Sequence, residues 1–112
     1  MSGNPSPPPP RTGGGGTPDD DDCGRLRFQT QLASPVASVV NVLSVGAVLT
    51  IELQERSGVR VIVAVSDSGD VAGSVVDRIH QLLRCLQSGY SYRAVVVRVL
   101  GGAVGVTVEP AT

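Results

Sequence analysis

Between Arg25 and Glu109 the chain is built from short valine-rich runs that alternate apolar and polar residues, interrupted by only two patches of helical spacing. A period of two places successive side chains on opposite faces of a strand, so these runs specify strands with one face turned to a core. Arg25 to Leu32 alternates strictly. Leu26, Phe28, Thr30 and Leu32 point one way, and Arg25, Arg27, Gln29 and Gln31 point the other. Ser34 and Pro35 then supply a cap and a helix-starting proline, with Val36, Val39, Val40 and Leu43 at helical spacing behind them. Gly46 ends that element, and Ala47 to Glu55 alternates again with Leu49, Ile51 and Leu53 inward.

The turn Ser57-Gly58 is too short for a parallel crossover, so Val59 to Ser66 returns as the second strand of a hairpin. A second turn over Asp67 to Asp70 leads into a short strand, Val71 to Gly73. Ser74 is placed to cap a helix whose apolar stripe is Val75, Val76, Ile79, Leu82, Leu83 and Leu86, stopped by Gly89. Tyr90 to Leu100 reads as a strand whose middle, Ala94 to Val97, is apolar on both faces and therefore covered on both sides. Gly101-Gly102 turns the chain into Ala103 to Glu109, where Gly105 marks a bulge or tight bend.

The expected order is β-α-β-β-β-α-β-β: an α+β domain over residues 25–110, with about six mainly antiparallel strands in a small barrel or strongly curled sheet and two short helices. Closure or strong curling hides valine-rich edges that would otherwise pair with other chains. An open sheet with both helices on one face is the alternative.

The opening segment differs in kind. Prolines, the run Gly13 to Gly16 and the run Asp19 to Asp22 leave it almost no apolar surface to offset the entropy of ordering, so residues 1–24 read as a disordered tail. Charge divides along the same line. Met1 to Asp22 carries −3, whereas Cys23 to Thr112 carries eight arginines against six acids, or +2. A mildly basic body permits an anionic partner, and an acidic tail can solubilise the chain or compete for a basic face. Lysine is absent; the arginine bias accompanies abundant Ala, Gly, Val and Pro and reads as the mark of a GC-rich genome.

Cys23 and Cys85 lack the spacing of a zinc site, no apolar stretch follows Met1 as a secretory leader would, and no apolar run reaches bilayer length. These features point to a cytoplasmic protein with free thiols and a buried Cys85, without a membrane partner. No catalytic constellation is visible. His80 lies on the wet side of the second helix with Asp77 and Arg84 but no nucleophile, and reads as a solvated histidine. Asp67 and Asp70 suit a turn better than a cation site, and Gly69 to Gly73 lacks the Gly-Lys-Ser/Thr ending of a phosphate loop. The expectation is a protein that is not an enzyme and uses no cofactor and no metal.

The candidate site is a surface of Arg25, Arg27, Arg60, Tyr90, Tyr92, Arg93 and Arg98. Arginines beside tyrosines are the combination by which single-strand binders hold phosphates and stack bases. Tyr90 and Tyr92 equally fit core residues with hydroxyls at the rim. The stretch Val61 to Ser74, followed by a helix and by Gly89-Tyr90-Ser91-Tyr92-Arg93-Ala94, resembles the latter part of a HIRAN-type domain. That resemblance implies an OB-like barrel and recognition of single-stranded DNA ends. The first strand has only Phe28 where the family has an aromatic pair, and Glu55 to Gly58 replaces its Asn/Asp-rich segment, so no binding residue carries over. The spacing Cys85-x-x-x-Gly89-x-x-Tyr92-x-Ala94 is also similar to small uncharacterised bacterial proteins, which implies a bacterial origin and no activity. Two functions follow as expectations: a non-catalytic module binding single-stranded DNA or RNA through the arginine and tyrosine face, or a protein-interaction or accessory subunit of a larger bacterial complex, pairing through a strand edge.

Overall fold

The computed structural model describes residues 19–111. The disorder expected of the tail falls outside them up to residue 18. The described chain runs α1 (Asp19–Arg25), β1 (Phe28–Gln31), α2 (Ala37–Val40), β2 (Val48–Arg56), β3 (Val59–Val65), β4 (Val71–Ser74), α3 (Ile79–Gln87), β5 (Tyr92–Leu100) and β6 (Ala103–Pro110). From β1 onward this is the expected order. The strands form one antiparallel sheet in the order β1-β6-β5-β2-β3-β4, which leaves β1 and β4 as its edges.

The sheet does not close into a continuous ladder, but its two edges touch. Just past β1, the Ala33 N–H donates to Ser74 O at 2.8 Å and the Ser74 N–H donates back to Ala33 O at 2.9 Å. Opposite edges of a six-stranded sheet meet only when the sheet curls strongly, so the curled form is the one adopted. Gly73 allows the contact: a Cβ there would lie 3.0 Å from both Ala33 O and Leu32 Cβ. Inside the curl, Leu26, Phe28, Leu49, Ile51, Ile62, Tyr92, Val96, Val104, Val106 and Val108 pack with Val40 of α2 and with Leu82 and Cys85 of α3.

Both helices depart from the expected spans. The chain is extended at Val36, whose N–H donates to Ala72 O at 2.8 Å, and Ser34 sits at φ 49°, so Ser34 caps nothing and α2 shrinks to one turn. Its β-branched residues give little intrinsic reason to extend it. Likewise Ser74 is the last residue of β4, the Val75 N–H reaches Ile62 O at 2.9 Å, and α3 starts only after Arg78 turns left-handed at φ 53°. Its end matches expectation. Gly89 at φ 98° follows the last turn, with Gly89 N–H on Leu86 O and Tyr90 N–H on Cys85 O, the paired bonds of a Schellman stop.

The cysteines overturn the free-thiol expectation. Cys23 and Cys85 form a disulfide across 62 residues of sequence, fastening α1 to α3. Residues 19–24, assigned by composition to the disordered tail, therefore belong to a helix pinned against the body.

Candidate functional site

The candidate residues separate once register is fixed. Val104, Val106 and Val108 face the core, so Gly105, Thr107 and Glu109 lie on the opposite face of β6, where Gly105 and Thr107 are themselves covered and Glu109 is half-buried. Arg93 pairs with Glu109 across β5 and β6, and Gln29 pairs with Thr107 across β1 and β6, which puts Arg93 and Gln29 on the same outer face. Arg98 reaches that face by a different route. Simple alternation from Tyr92 would turn Arg98 inward with Ala94 and Val96. Instead β5 carries a bulge between Val96 and Arg98, so Val97 is the extra residue and Arg98 pairs with Gly105. A bulge shifts the phase of the strand by one residue. Arg98 is thus exposed, and its guanidinium lies over the face of Gly105. The same bulge corrects the expectation that this stretch is covered on both faces, since Val97 is 42% exposed.

At the other end of that face, one carboxylate organises two guanidiniums. Arg93 Nε donates to Glu109 Oε2 at 2.8 Å and Arg93 Nη2 lies 2.7 Å from the same oxygen. Arg27 Nη2 lies 3.6 Å from Glu109 Oε1. Arg25, Arg27 and Glu109 also line a shallow hollow of about 330 Å³ with Gly24 and Pro110. At this end Arg25, Arg27 and Arg93 gather about Glu109, which holds two of them in place. Strand rise separates Arg93 from Arg98 by about 15 Å. A second shallow hollow, about 240 Å³, brings Arg98 together with Gln29, Gln31 and Val97.

The other three candidates do not join them. Tyr92 is only 1% exposed; its hydroxyl donates to Cys23 O at 2.6 Å, so its ring offers no face to a base. Burial, and after it the neighbouring Tyr90, pushes the Tyr92 phenol above its ordinary value. Tyr90 packs half-buried against the core. Arg60 lies opposite Glu55 in the β2–β3 hairpin, in phase with inward-facing Ile62 rather than with the outer face. The stacking half of the expected site is therefore missing for a plain reason: a chain with three aromatics spends Phe28 and Tyr92 on its core.

Sequence reasoning missed Glu109, which becomes visible only through the β5–β6 register. It also missed Arg78, whose guanidinium stands 5.4 Å from the centre of the Phe28 ring and covers it. Asp77 faces away from any dyad with His80, accepting a hydrogen bond from Thr30 Oγ1 at 2.5 Å. Among the described residues, no three His, Cys, Asp or Glu side chains converge as metal ligands, and no helix is long and apolar enough to cross a membrane. No family model, curated protein or solved structure matches this chain.

Proposed function

We propose that the protein is a non-catalytic binding module that holds an anionic partner, in the first place a single-stranded nucleic-acid backbone, on the outer face of its sheet. The observation that carries this reading is the bulge at Val97, which turns Arg98 outward onto the face that already bears Arg27 and Arg93. Guanidiniums suit bidentate phosphate contacts, and a partly neutralised cluster is already oriented for them. The resemblance to HIRAN-type domains supports the same class of ligand. With Tyr92 inside, the contacts are to phosphates rather than stacked bases, and binding is insensitive to base sequence.

The test is fluorescence anisotropy of a labelled single-stranded oligonucleotide over a salt series. Log affinity falls linearly with log salt, and Arg93→Ala with Arg98→Ala makes that slope shallower by roughly 1.4, the loss of two phosphate contacts on a single strand. Arg60→Ala, away from that face, leaves the slope unchanged. An absence of binding at low salt sinks the reading.

A second reading, a protein-interaction subunit, is supported by the valines left in solvent between α2 and β2. Compartment bears on both. A cytoplasmic placement calls for free thiols, whereas a disulfide buried between two helices speaks for an oxidising compartment.

A further inference from the structure

The chain leaves three large apolar side chains in water within seven residues: Val42 is 79% exposed, Val45 68% and Val48 47%. Single exposed valines are ordinary, but a cluster with a polar rim marks a place where another surface sits. Val42 and Val48 line a hollow of about 290 Å³ between the α2–β2 connection and the β3–β4 turn. Its floor is Val39, Leu43 and Ala47, which pack against the core, together with Leu49, which belongs to it. The apolar wall is therefore held by the folded body.

The opposite wall is acidic. It is the turn Ser66 to Asp70, closed by Ser66 N–H on Asp70 O at 2.8 Å and Gly69 N–H on Ser66 O at 2.9 Å. Inside the turn, Asp70 N–H donates to Ser66 Oγ at 3.3 Å and Ser68 Oγ donates to Asp70 Oδ2 at 3.4 Å. Asp67 and Asp70 stand at the rim, and no lining residue is basic. The volume is just under the range of small-molecule pockets, roughly 300–1,000 Å³, and suits one or two side chains of a peptide.

We propose that this hollow docks an extended segment of a partner protein bearing an aliphatic side chain beside an arginine or lysine. The aliphatic group covers Val42 and Val48, and the cation meets Asp67 and Asp70. This site does not depend on the arginine face: it asks for a ligand of opposite charge, so the two can fail separately.

The test uses the full chain, isotopically labelled for amide NMR, titrated with acetyl-Gly-Leu-Arg-Leu-Arg-Gly-amide. Two control peptides replace Arg by Glu, or Leu by Gly. The Leu/Arg peptide shifts amides over residues 42–49 and 66–70, and both controls bind more weakly. Asp67→Asn with Asp70→Asn, or Val42→Ser, weakens the Leu/Arg peptide by about tenfold. All these positions are exposed, so the variants keep the fold. Oligonucleotide binding by the same variants is not reduced, and Arg93→Ala with Arg98→Ala leaves peptide binding intact. Shifts confined to other residues, equal binding of the Leu/Glu peptide, or no shift at millimolar peptide overturns the proposal.

Discussion

Tyr92 serves the core and α1 at once. Its ring fills the core, and its hydroxyl ties β5 to the Cys23 carbonyl at 2.6 Å. Tyr92→Phe keeps the ring and leaves that carbonyl without its donor, a loss of about 1–2 kcal/mol in denaturant titration. The phenol is also held protonated more firmly in the folded chain than in the unfolded one. Its contribution is intact below pH about 10 and is lost as pH climbs through the raised folded value. Wild-type stability therefore falls more steeply above pH about 10 than that of Tyr92→Phe, and parallel profiles would refute the assignment. Gly73 is constrained by the opposite edge of the sheet. A methyl there meets Ala33 O and Leu32 Cβ at 3.0 Å, atoms that cannot swing aside as a flexible side-chain end does. Gly73→Ala costs about 1–3 kcal/mol of stability in thermal melts. Gly24→Ala, which meets nothing within 4 Å, costs none.

Among the elements, α1 depends most on one bond. It is seven residues long, carries four aspartates and a glycine, and has no intrinsic reason to persist as an isolated helix. The Cys23–Cys85 disulfide and the Tyr92 hydroxyl hold it. Cys23→Ser with Cys85→Ser lowers stability by about 2–4 kcal/mol. Hydrogen exchange in that variant shows α1 losing protection while β2, β5 and β6 keep theirs; uniform loss would mean that the bond supports the whole core. The strands were legible because period two survives in any context, and each one formed near its expected place. The helix starts were not, since Val36 and Val75 spend their N–H groups on neighbouring strands, and such partners cannot be read locally. The arginine face was half legible. Alternation placed Arg27, but the face of Arg93 follows from its register with Glu109, and the bulge that redirects Arg98 appears only when β5 is laid against Gly105. The tyrosines were ambiguous in sequence, and burial decided Tyr92.

Over the whole molecule, charge is distributed unevenly along a short path. Asp19 to Asp22 lie in the same helix that ends at Arg25, and helical rise puts Asp19 about 9 Å from Arg25 along the axis. That is within the Debye length of about 10 Å at 0.1 M salt. Because the disulfide fixes α1 to the body, the helix that bears these acids stays at the end of the molecule where its last residue, Arg25, lines a hollow with Arg27 and Glu109. They repel a polyanion approaching that end, and the repulsion is lost as salt rises. Replacing Asp19 to Asp22 with asparagine in the full chain therefore raises oligonucleotide affinity severalfold at low salt, and the gap from wild type closes as salt increases. The arginine-face reading requires that convergence, because both effects arise from the same field. Equal affinities at low salt would place the polyanion away from Arg25, leaving Arg98 and its bulged strand as the only part of the face still in contact. A gap that persists at high salt would instead mean that the substitutions had rearranged α1, which the hydrogen-exchange pattern of that helix would reveal.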